Sequence, residues 1–398
     1  MTREEIYTSC LDKLGKSKSL LLELPTGFGK SKLSIDLVNH LCNTVYKGKA
    51  VNILLLVAKT VHKQTWRDEI KKWGGINASL TIECYESLKK HVDHTFDILL
   101  LDETHHVGSD LRLDLLSMLH FEYMIGLSAT IPRNLKRYFQ YKYHSQIVSC
   151  DIVEAIEDDI LPEPEILLFP LQLDNTRPSE TWEINARSKG PVVKGEYREL
   201  WKFRRNKVHA IVSCTQKQKL IEYNSLIDWE KKKYMSSRNK AMEQTWLYHC
   251  GKRLEFLSDC KVKIVQVILK HLDKFRTITF CKTINQSELL GKNCIHSQNR
   301  KSTEIYDKFN QKKINHITAV NILNENANLV DCKYAIFANL SSSEIIQVQR
   351  TGRALRHKHP VIIIPYYVNT REEEIVKKML EGYNQEYIKE VKSLRDII

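Results

Sequence analysis

The sequence predicts an α/β fold of two lobes, each with a parallel sheet, joined by a connector and a basic, mainly helical insertion. Short apolar runs alternate with amphipathic segments in residues 1–165 and again in 274–398, a pattern typical of parallel sheets covered by helices. A glycine-rich loop follows the first apolar run. Residues 176–272 instead have helical patterning and many lysines, arginines and tryptophans. We therefore expect lobes at 1–165 and 274–398, with the connector and insertion at 166–273.

Strands are predicted wherever a short apolar run interrupts the polar sequence. They cover 19–24, 51–58, 80–84, 97–102 and 123–128 in the first lobe, and 277–280, 316–321, 334–338 and 361–365 in the second. Apolar residues at helical spacing in 33–41 predict a helix after the first strand, and closing helices are expected in 371–394. Three prolines make 161–173 an extended connector.

The composition is that of a globular protein, with 42% hydrophobic and 27% charged residues. The apolar runs are too short to span a bilayer, and the first residues lack the apolar stretch of a secretory signal. Ten scattered cysteines form no C-x-x-C pair and no cluster at zinc spacing, which is typical of reduced thiols. We expect a cytoplasmic protein of a bacterium or a phage-infected host.

The loop LPTGFGKS at 24–31 has the pattern of a phosphate-binding loop between a strand and a helix. Glycines let successive backbone N–H groups face phosphate oxygens, and the following helix N-terminus favours an anion. Lys30 can reach the terminal phosphates of a nucleotide, and the Ser31 hydroxyl can ligate Mg²⁺. A coincidental turn is the alternative, because Leu24 stands where the general pattern has a glycine. The expected nucleotide-binding residues are Pro25, Thr26, Gly27, Phe28, Gly29, Lys30 and Ser31.

Two carboxylates end the apolar strand at 97–102. Asp102 at the carboxyl edge of the sheet is placed to hold Mg²⁺ with Ser31, and Glu103 is placed to polarise an attacking water and to contribute to the metal site. The alternative is an ordinary acidic turn. His105 and His106 form a poor zinc pair because they are adjacent and lack a third ligand nearby, so we interpret His105 as a relay between motifs.

Arginines recur at every third position in QRTGRALR at 349–356, so Arg350, Arg353 and Arg356 share one helical face. Arginines presented to a terminal phosphate stabilise the charge of the transition state. A solvated surface helix is the alternative, but Gln349 and Gly352 in the same run favour the functional interpretation.

In this order the motifs make residues 15–165 and 274–398 resemble superfamily-2 helicases of the DExH type, above all DNA helicases and translocases related to restriction-enzyme motors and to phage or repair helicases. The resemblance implies two RecA-like lobes with ATP between them, a nucleic-acid strand across both, and 3′ to 5′ movement. It implies that Ser128 and Thr130 couple hydrolysis to strand movement and that Arg353 and Arg356 are arginine fingers, with Gln349 and Arg350 in the same motif. It also implies strand contacts at Lys59 and Thr60.

The chain departs from this family at two places. Where relatives carry E-G-x-D, it has Asn326 and Asn328, which removes a charge from the lobe interface. The N-terminal segment shows no arginine-then-glutamine motif for adenine. These departures leave open the coupling between ATP and strand movement, and the choice of base.

The net charge of +13 favours a polyanionic partner, and residues 187–253 carry 17 Lys/Arg against 6 Asp/Glu. The alternative is a solvated helical face. We expect nucleic-acid contacts there, including Lys202, Arg204 and Arg205.

The sequence thus predicts an ATP- and Mg²⁺-dependent DNA helicase or translocase. Two alternatives remain: an RNA helicase, and a nucleic-acid-stimulated ATPase or motor subunit that opens no duplex.

Overall fold

The computed structural model of the protein describes residues 2–184, 210–320, 329–343, 350–355 and 357–397. The chain divides into two units, each containing one large parallel sheet. Unit 1 consists of Met1–Pro164, Leu323–Lys333 and Ser343–Pro360. Unit 2 consists of Glu165–Ile322, Tyr334–Ser342 and Val361–Ile398.

The sheet of unit 1 has six parallel strands in the order β3-β2-β4-β5-β1-β6. They are β1 (Ser19–Glu23), β2 (Asn52–Val57), β3 (Ser79–Cys84), β4 (Thr95–Asp102), β5 (His120–Ser128) and β6 (Gln146–Ser149). The predictions of the first five strands are confirmed. The sixth was not predicted, because this edge strand is short and has a single buried residue, Val148.

Helices of unit 1 connect the strands, and a 3-10 helix follows each of β3 and β4. The α-helices are α1 (Arg3–Ser17), α2 (Lys30–Thr44), α3 (Thr60–Lys72), α4 (Asp110–Met118), α5 (Arg133–Tyr143) and α6 (Ile152–Glu157), and the 3-10 helices are Tyr85–His91 and Thr104–Val107. The predicted apolar face of α2 is buried, including Leu33, Leu37 and Leu41. Since β1 leads directly to the start of α2, the loop between them lies at the carboxyl edge of the sheet.

The sheet of unit 2 has seven parallel strands in the order β11-β12-β10-β13-β14-β7-β15. They are β7 (Glu165–Leu171), β10 (Thr277–Phe280), β11 (Cys294–Ile295), β12 (His316–Ala319), β13 (Tyr334–Phe337), β14 (Val361–Tyr367) and β15 (Ile388–Glu390). The prediction that 161–173 is only a connector was wrong, because β7 pairs with β14 along its whole length.

In the middle of the chain the described residues 210–272 are mostly helical, as the pattern of 176–272 predicts. The helices are α7 (Gln216–Ser237), α8 (Lys240–Cys260) and α9 (Val262–His271), and later α10 (Ile284–Leu290), α11 (Ser302–Asn310) and α12 (Arg371–Met379). Two short strands, β8 (Glu180–Ile184) and β9 (Ala210–Cys214), also pair antiparallel in this region. The prediction of helices throughout 371–394 was only partly right, because α12 ends at Met379 and β15 follows.

A buried ion pair joins the beginning of α9 to the beginning of α12. The Lys261 ammonium donates to the Glu372 carboxylate over 2.6 Å and to the Pro365 carbonyl oxygen over 3.3 Å, and both charged side chains have no exposed surface. Glu372 also accepts a hydrogen bond from the backbone N–H of Tyr367. This contact fixes the end of the helical region against the last long strand of the sheet.

No helix in the described ranges has the length and apolar character needed to cross a membrane. The ten cysteines, all within the described residues, form no disulfide, and eight of them are buried.

Candidate active site

The loop that leads from β1 to α2 has the backbone conformation of a phosphate cradle. Gly27 and Gly29 have φ angles of 100° and 103°, in the left-handed region that other residues rarely adopt. A Cβ at Gly29 would have no atom within 4 Å, so the backbone conformation and not the space requires glycine there. Gly29 also caps α2, a helix of 15 residues whose first N–H groups can bind an anion.

Lys30 is the first residue of α2, and its side chain folds back over the loop. Its ammonium donates to the carbonyl oxygens of Leu24 at 3.0 Å and Pro25 at 3.3 Å. Arg3 supports the same loop from α1, since its Nε donates to the carbonyl oxygen of Phe28 at 3.3 Å. The cation of Lys30 is therefore held where phosphate oxygens would meet the backbone N–H groups of the loop.

Asp102 is buried at the carboxyl end of β4 and is held by two aromatic residues. The Trp66 indole N–H donates to Asp102 Oδ2 over 2.8 Å, and the Tyr85 hydroxyl donates to the Asp102 backbone oxygen over 2.8 Å. Burial, with the charges of Asp102 and Glu103 nearby, raises the pKa of Tyr85 well above its ordinary value, so the phenol keeps its proton. Glu103 is also buried, and its left-handed backbone, with φ of 50°, turns the chain off the strand.

His105 connects this turn to the end of β5. Its Nδ1 lies 3.0 Å from the Ser128 hydroxyl oxygen and 3.4 Å from Glu103 Oε2. The Ser128 hydroxyl donates to the Thr130 carbonyl oxygen over 2.8 Å, so the hydroxyl proton is already used. A proton on His105 Nδ1 fits this arrangement, and a direct hydrogen bond joins the turn after β4 to the end of β5.

The described part of the arginine motif lies against the phosphate loop within unit 1. Arg350 and Arg353 are each 2% exposed, and residues 350–354 are helical. A Cβ at Gly352 would lie only 2.4 Å from the carbonyl oxygen of Thr26, so glycine alone permits this approach. Gln349 and Arg356 lie outside the described residues.

Eight of the predicted residues meet around one cavity of about 240 Å³. It is lined by Thr26, Gly27, Gly29, Lys30, Ser31, Asp102, Glu103 and Arg353, and on another side by residues of α3. The Ser31 hydroxyl and the Asp102 carboxylate are oxygen donors of the kind that Mg²⁺ prefers, together with phosphate and water. Among the residues that the structure describes, no three His, Cys, Asp or Glu side chains are grouped so that they could bind a metal ion without other ligands, and this includes His105 and His106.

A second cavity of about 900 Å³ lies on the other side of the loop. Gly27, Phe28 and Gly29 line one end, and three elements supply the rest, among them Tyr7 of α1, Asn39 of α2 and Trp73 at the end of α3. The cavity therefore begins at the phosphate loop and extends along α2, with aromatic rings and amides on its walls.

The structure also shows contacts of two residues near the site, Glu23 and Trp66, that the sequence analysis did not predict. Glu23, at the end of β1, accepts hydrogen bonds from the Ile131 backbone N–H and from Lys136, which fixes the segment after Thr130. Its position beside the phosphate loop is visible in the sequence, but its partners are more than 100 residues away. The contact between Trp66 and Asp102, which are 36 residues apart, depends on tertiary structure and could not be read from the sequence.

The predicted strand-contact residues are only partly described. Lys59 and Thr60 are exposed at the beginning of α3. Lys202, Arg204 and Arg205, together with Asn326 and Asn328, lie outside the described residues.

Comparisons with known proteins agree with this geometry. The family model of the helicase conserved C-terminal domain matches residues 260–358. The DNA 3′-5′ translocase XPB2 of Sulfurisphaera tokodaii is 22% identical over 367 residues, which cover 86% of this chain and 76% of that protein.

Solved structures with the same fold include the following two. A Dbp5 variant of S. cerevisiae bound to RNA and ADP BeF3 has a TM-score of 0.58 at 12% identity, covering 99% of this chain and 91% of that one. The Hef helicase domain of Pyrococcus furiosus has a TM-score of 0.50 at 15% identity, covering 94% and 96%. These similarities confirm the predicted fold of two RecA-like lobes.

Proposed function

Because this chain is a superfamily-2 helicase, we propose that it is an enzyme of the DExH type that hydrolyses ATP with Mg²⁺ to move along or unwind DNA. The observation that carries this proposal is the cavity lined by Lys30, Ser31, Asp102, Glu103 and Arg353. These residues supply the cation, the metal ligands and the acid–base group that phosphoryl transfer requires.

Each side chain then has one role in the reaction. Lys30 binds the terminal phosphates of the nucleoside triphosphate. These phosphates would replace the loop carbonyl oxygens as acceptors for the Lys30 ammonium. Ser31 and Asp102 would hold Mg²⁺, which neutralises charge on the phosphates. Glu103 orients and polarises the attacking water, and Arg353 stabilises charge that develops on the transferred phosphate. Gln349, Arg350 and Arg356 belong to the same proposed site.

Hydrolysis would be coupled to strand movement through the contacts of His105. This side chain contacts both Ser128 and the turn that carries Glu103, so a shift of the segment at 128–130 changes the surroundings of the proposed base. The nucleoside of ATP would extend from the loop into the larger cavity, where Tyr7 and Trp73 offer rings for base contacts.

We propose DNA as the substrate because the relative that spans most of this chain is a DNA 3′-5′ translocase. The basic insertion would add to this contact through Lys202, Arg204 and Arg205. Replacing these three residues by glutamine should reduce the dependence of single-strand binding on salt, by about 0.7 in the log–log slope for each lost phosphate contact. An unchanged slope would show that the insertion does not contact the strand.

The experiment that tests the proposed function compares ATP hydrolysis with no polynucleotide, with single-stranded DNA and with single-stranded RNA of the same base sequence. Stimulation by DNA above that by RNA supports a DNA motor. Stimulation mainly by RNA would support the RNA helicase instead, because only the 2′-hydroxyl and base methyl groups differ. Stimulated hydrolysis without displacement of a paired strand would identify a motor that does not unwind.

A further inference from the structure

Trp66 makes an unusual contact for a residue of a connecting helix. Its indole N–H donates to Asp102 Oδ2 over 2.8 Å, and the two side chains are 3% and 5% exposed. Among the residues of α3, only His62 and Trp66 are buried. Trp66 is therefore one of two points that anchor this helix, and its polar group is directed at the carboxylate proposed to hold the metal.

A hydrogen bond of this kind fixes the orientation of the carboxylate. Asp102 is held at its backbone by the Tyr85 hydroxyl and at its side chain by Trp66, so rotation about its side-chain bonds is restricted. The donor is neutral and the acceptor is charged and buried, which makes the bond stronger than one between neutral groups. Residues that orient a metal ligand in this way strongly affect metal affinity.

The position of Trp66 in α3 links this carboxylate to the surface. Lys59 and Thr60 are exposed where the helix begins, and Trp66 follows about 9 Å further along the axis. A strand that contacts the exposed end would therefore act on a helix whose buried side is bonded to Asp102.

We propose that Trp66 is a positioning residue, whose indole N–H orients Asp102 for Mg²⁺ and transmits the placement of α3 to the metal site. This inference rests on the proposed function, since it takes Asp102 as the metal ligand. The Trp66 side chain lines the same cavity as Lys30 and Glu103, and its proposed role is exerted through Asp102.

The test uses Trp66→Phe, which keeps an aromatic ring in the buried site and removes the N–H donor. Trp182→Phe is the matched control, because within the described part of the chain the Trp182 indole N–H is buried without a hydrogen-bond partner. The affinity of each protein for a fluorescent ADP analogue is measured with Mg²⁺ and with EDTA, beside thermal unfolding. Strand-stimulated ATP hydrolysis is then measured against Mg²⁺ concentration.

Trp66→Phe is expected to lose Mg²⁺-dependent affinity by about 10- to 100-fold while affinity in EDTA is unchanged. The Mg²⁺ concentration for half-maximal hydrolysis should rise, and Trp182→Phe should match the wild type. Equal losses with Mg²⁺ and with EDTA would overturn the proposal, because they indicate a general packing role. Unchanged Mg²⁺ dependence would overturn it as well.

A double-mutant cycle with Asp102→Asn keeps the proposal testable if Trp66→Phe also lowers stability. When Asp102→Asn is already present, adding Trp66→Phe should change Mg²⁺-dependent affinity no further, because the residue through which Trp66 acts has lost its charge. Additive losses would contradict the proposal. Failure of the proposed function is a different result, namely a wild-type protein that neither binds nucleotide nor hydrolyses it.

Discussion

Replacing Gly352 by alanine should push the arginine segment, the helical residues 350–354, away from the phosphate loop. The new Cβ would lie 2.4 Å from the Thr26 carbonyl oxygen and 2.7 Å from the Thr26 Cβ, whereas real Cβ contacts essentially never fall below 3.0 Å. Neither the loop carbonyl nor the helix backbone can rotate away as a flexible side chain would. The two backbones must therefore move apart by at least about 0.6 Å, in a region where side chains are closely packed.

The expected consequence is a large loss of activity with a moderate loss of stability. Overpacking of this kind typically costs about 1–3 kcal/mol. Arg353 is the next residue and shares the displacement, and a misplacement of about 1 Å at a reacting centre can cost about 100-fold in rate. We expect strand-stimulated turnover to fall by about this factor, with the lobe still folded.

The assay measures steady-state ATP hydrolysis and thermal unfolding of Gly352→Ala beside Gly251→Ala. Gly251 lies within α8, and a Cβ there would meet no atom within 4 Å, so its replacement should leave activity intact and stabilise the helix by up to about 1 kcal/mol. Wild-type turnover by Gly352→Ala would refute the argument that the arginine segment must approach the loop this closely.

Two further predictions concern the stability of unit 2. Lys261→Met should lower the free energy of unfolding by about 3–5 kcal/mol, because Glu372 would stay buried without its cation. Adding Glu372→Leu should restore much of the loss. An unaltered melting temperature of Lys261→Met would contradict this prediction. Burial lowers the pKa of His316 from 6.5 to about 4. Between these pH values the imidazole is protonated in the unfolded chain and neutral in the folded one. The free energy of unfolding should therefore fall by up to about 3 kcal/mol as the pH drops from about 6.5 to 4. His316→Gln should remove that part of the pH dependence, measured by denaturant unfolding, and identical pH profiles would show that the histidine is not responsible.

Most of the central strands could be predicted from the sequence because they are continuous apolar runs buried in the sheets. The strands that escaped prediction are short or lie near an edge. Pro170 makes β7 resemble a connector, since proline cannot donate to a neighbouring strand. The strand tolerates it because β15 pairs only with residues 166–168, which leaves one side of β7 unpaired at Pro170.

The local motifs of the site could be predicted because each is contiguous and has its own geometric requirement. The positive φ of Gly27 and Gly29, for example, follows from the loop pattern alone. The contact between Trp66 and Asp102 depends on where the tertiary structure places α3 relative to the end of β4, which no spacing along the chain reveals. The close approach of Gly352 to Thr26 depends on tertiary structure in the same way.

ATP hydrolysis by the wild type and by Lys30→Ala, with and without single-stranded DNA, tests the central claim most directly. Lys30 is the cation that begins α2 at the phosphate loop, and its loss removes the charge that holds the terminal phosphates. DNA should stimulate hydrolysis by the wild type, and the stimulated rate should be absent in Lys30→Ala. A folded wild-type protein that binds single strands yet hydrolyses ATP no faster than Lys30→Ala would contradict the account.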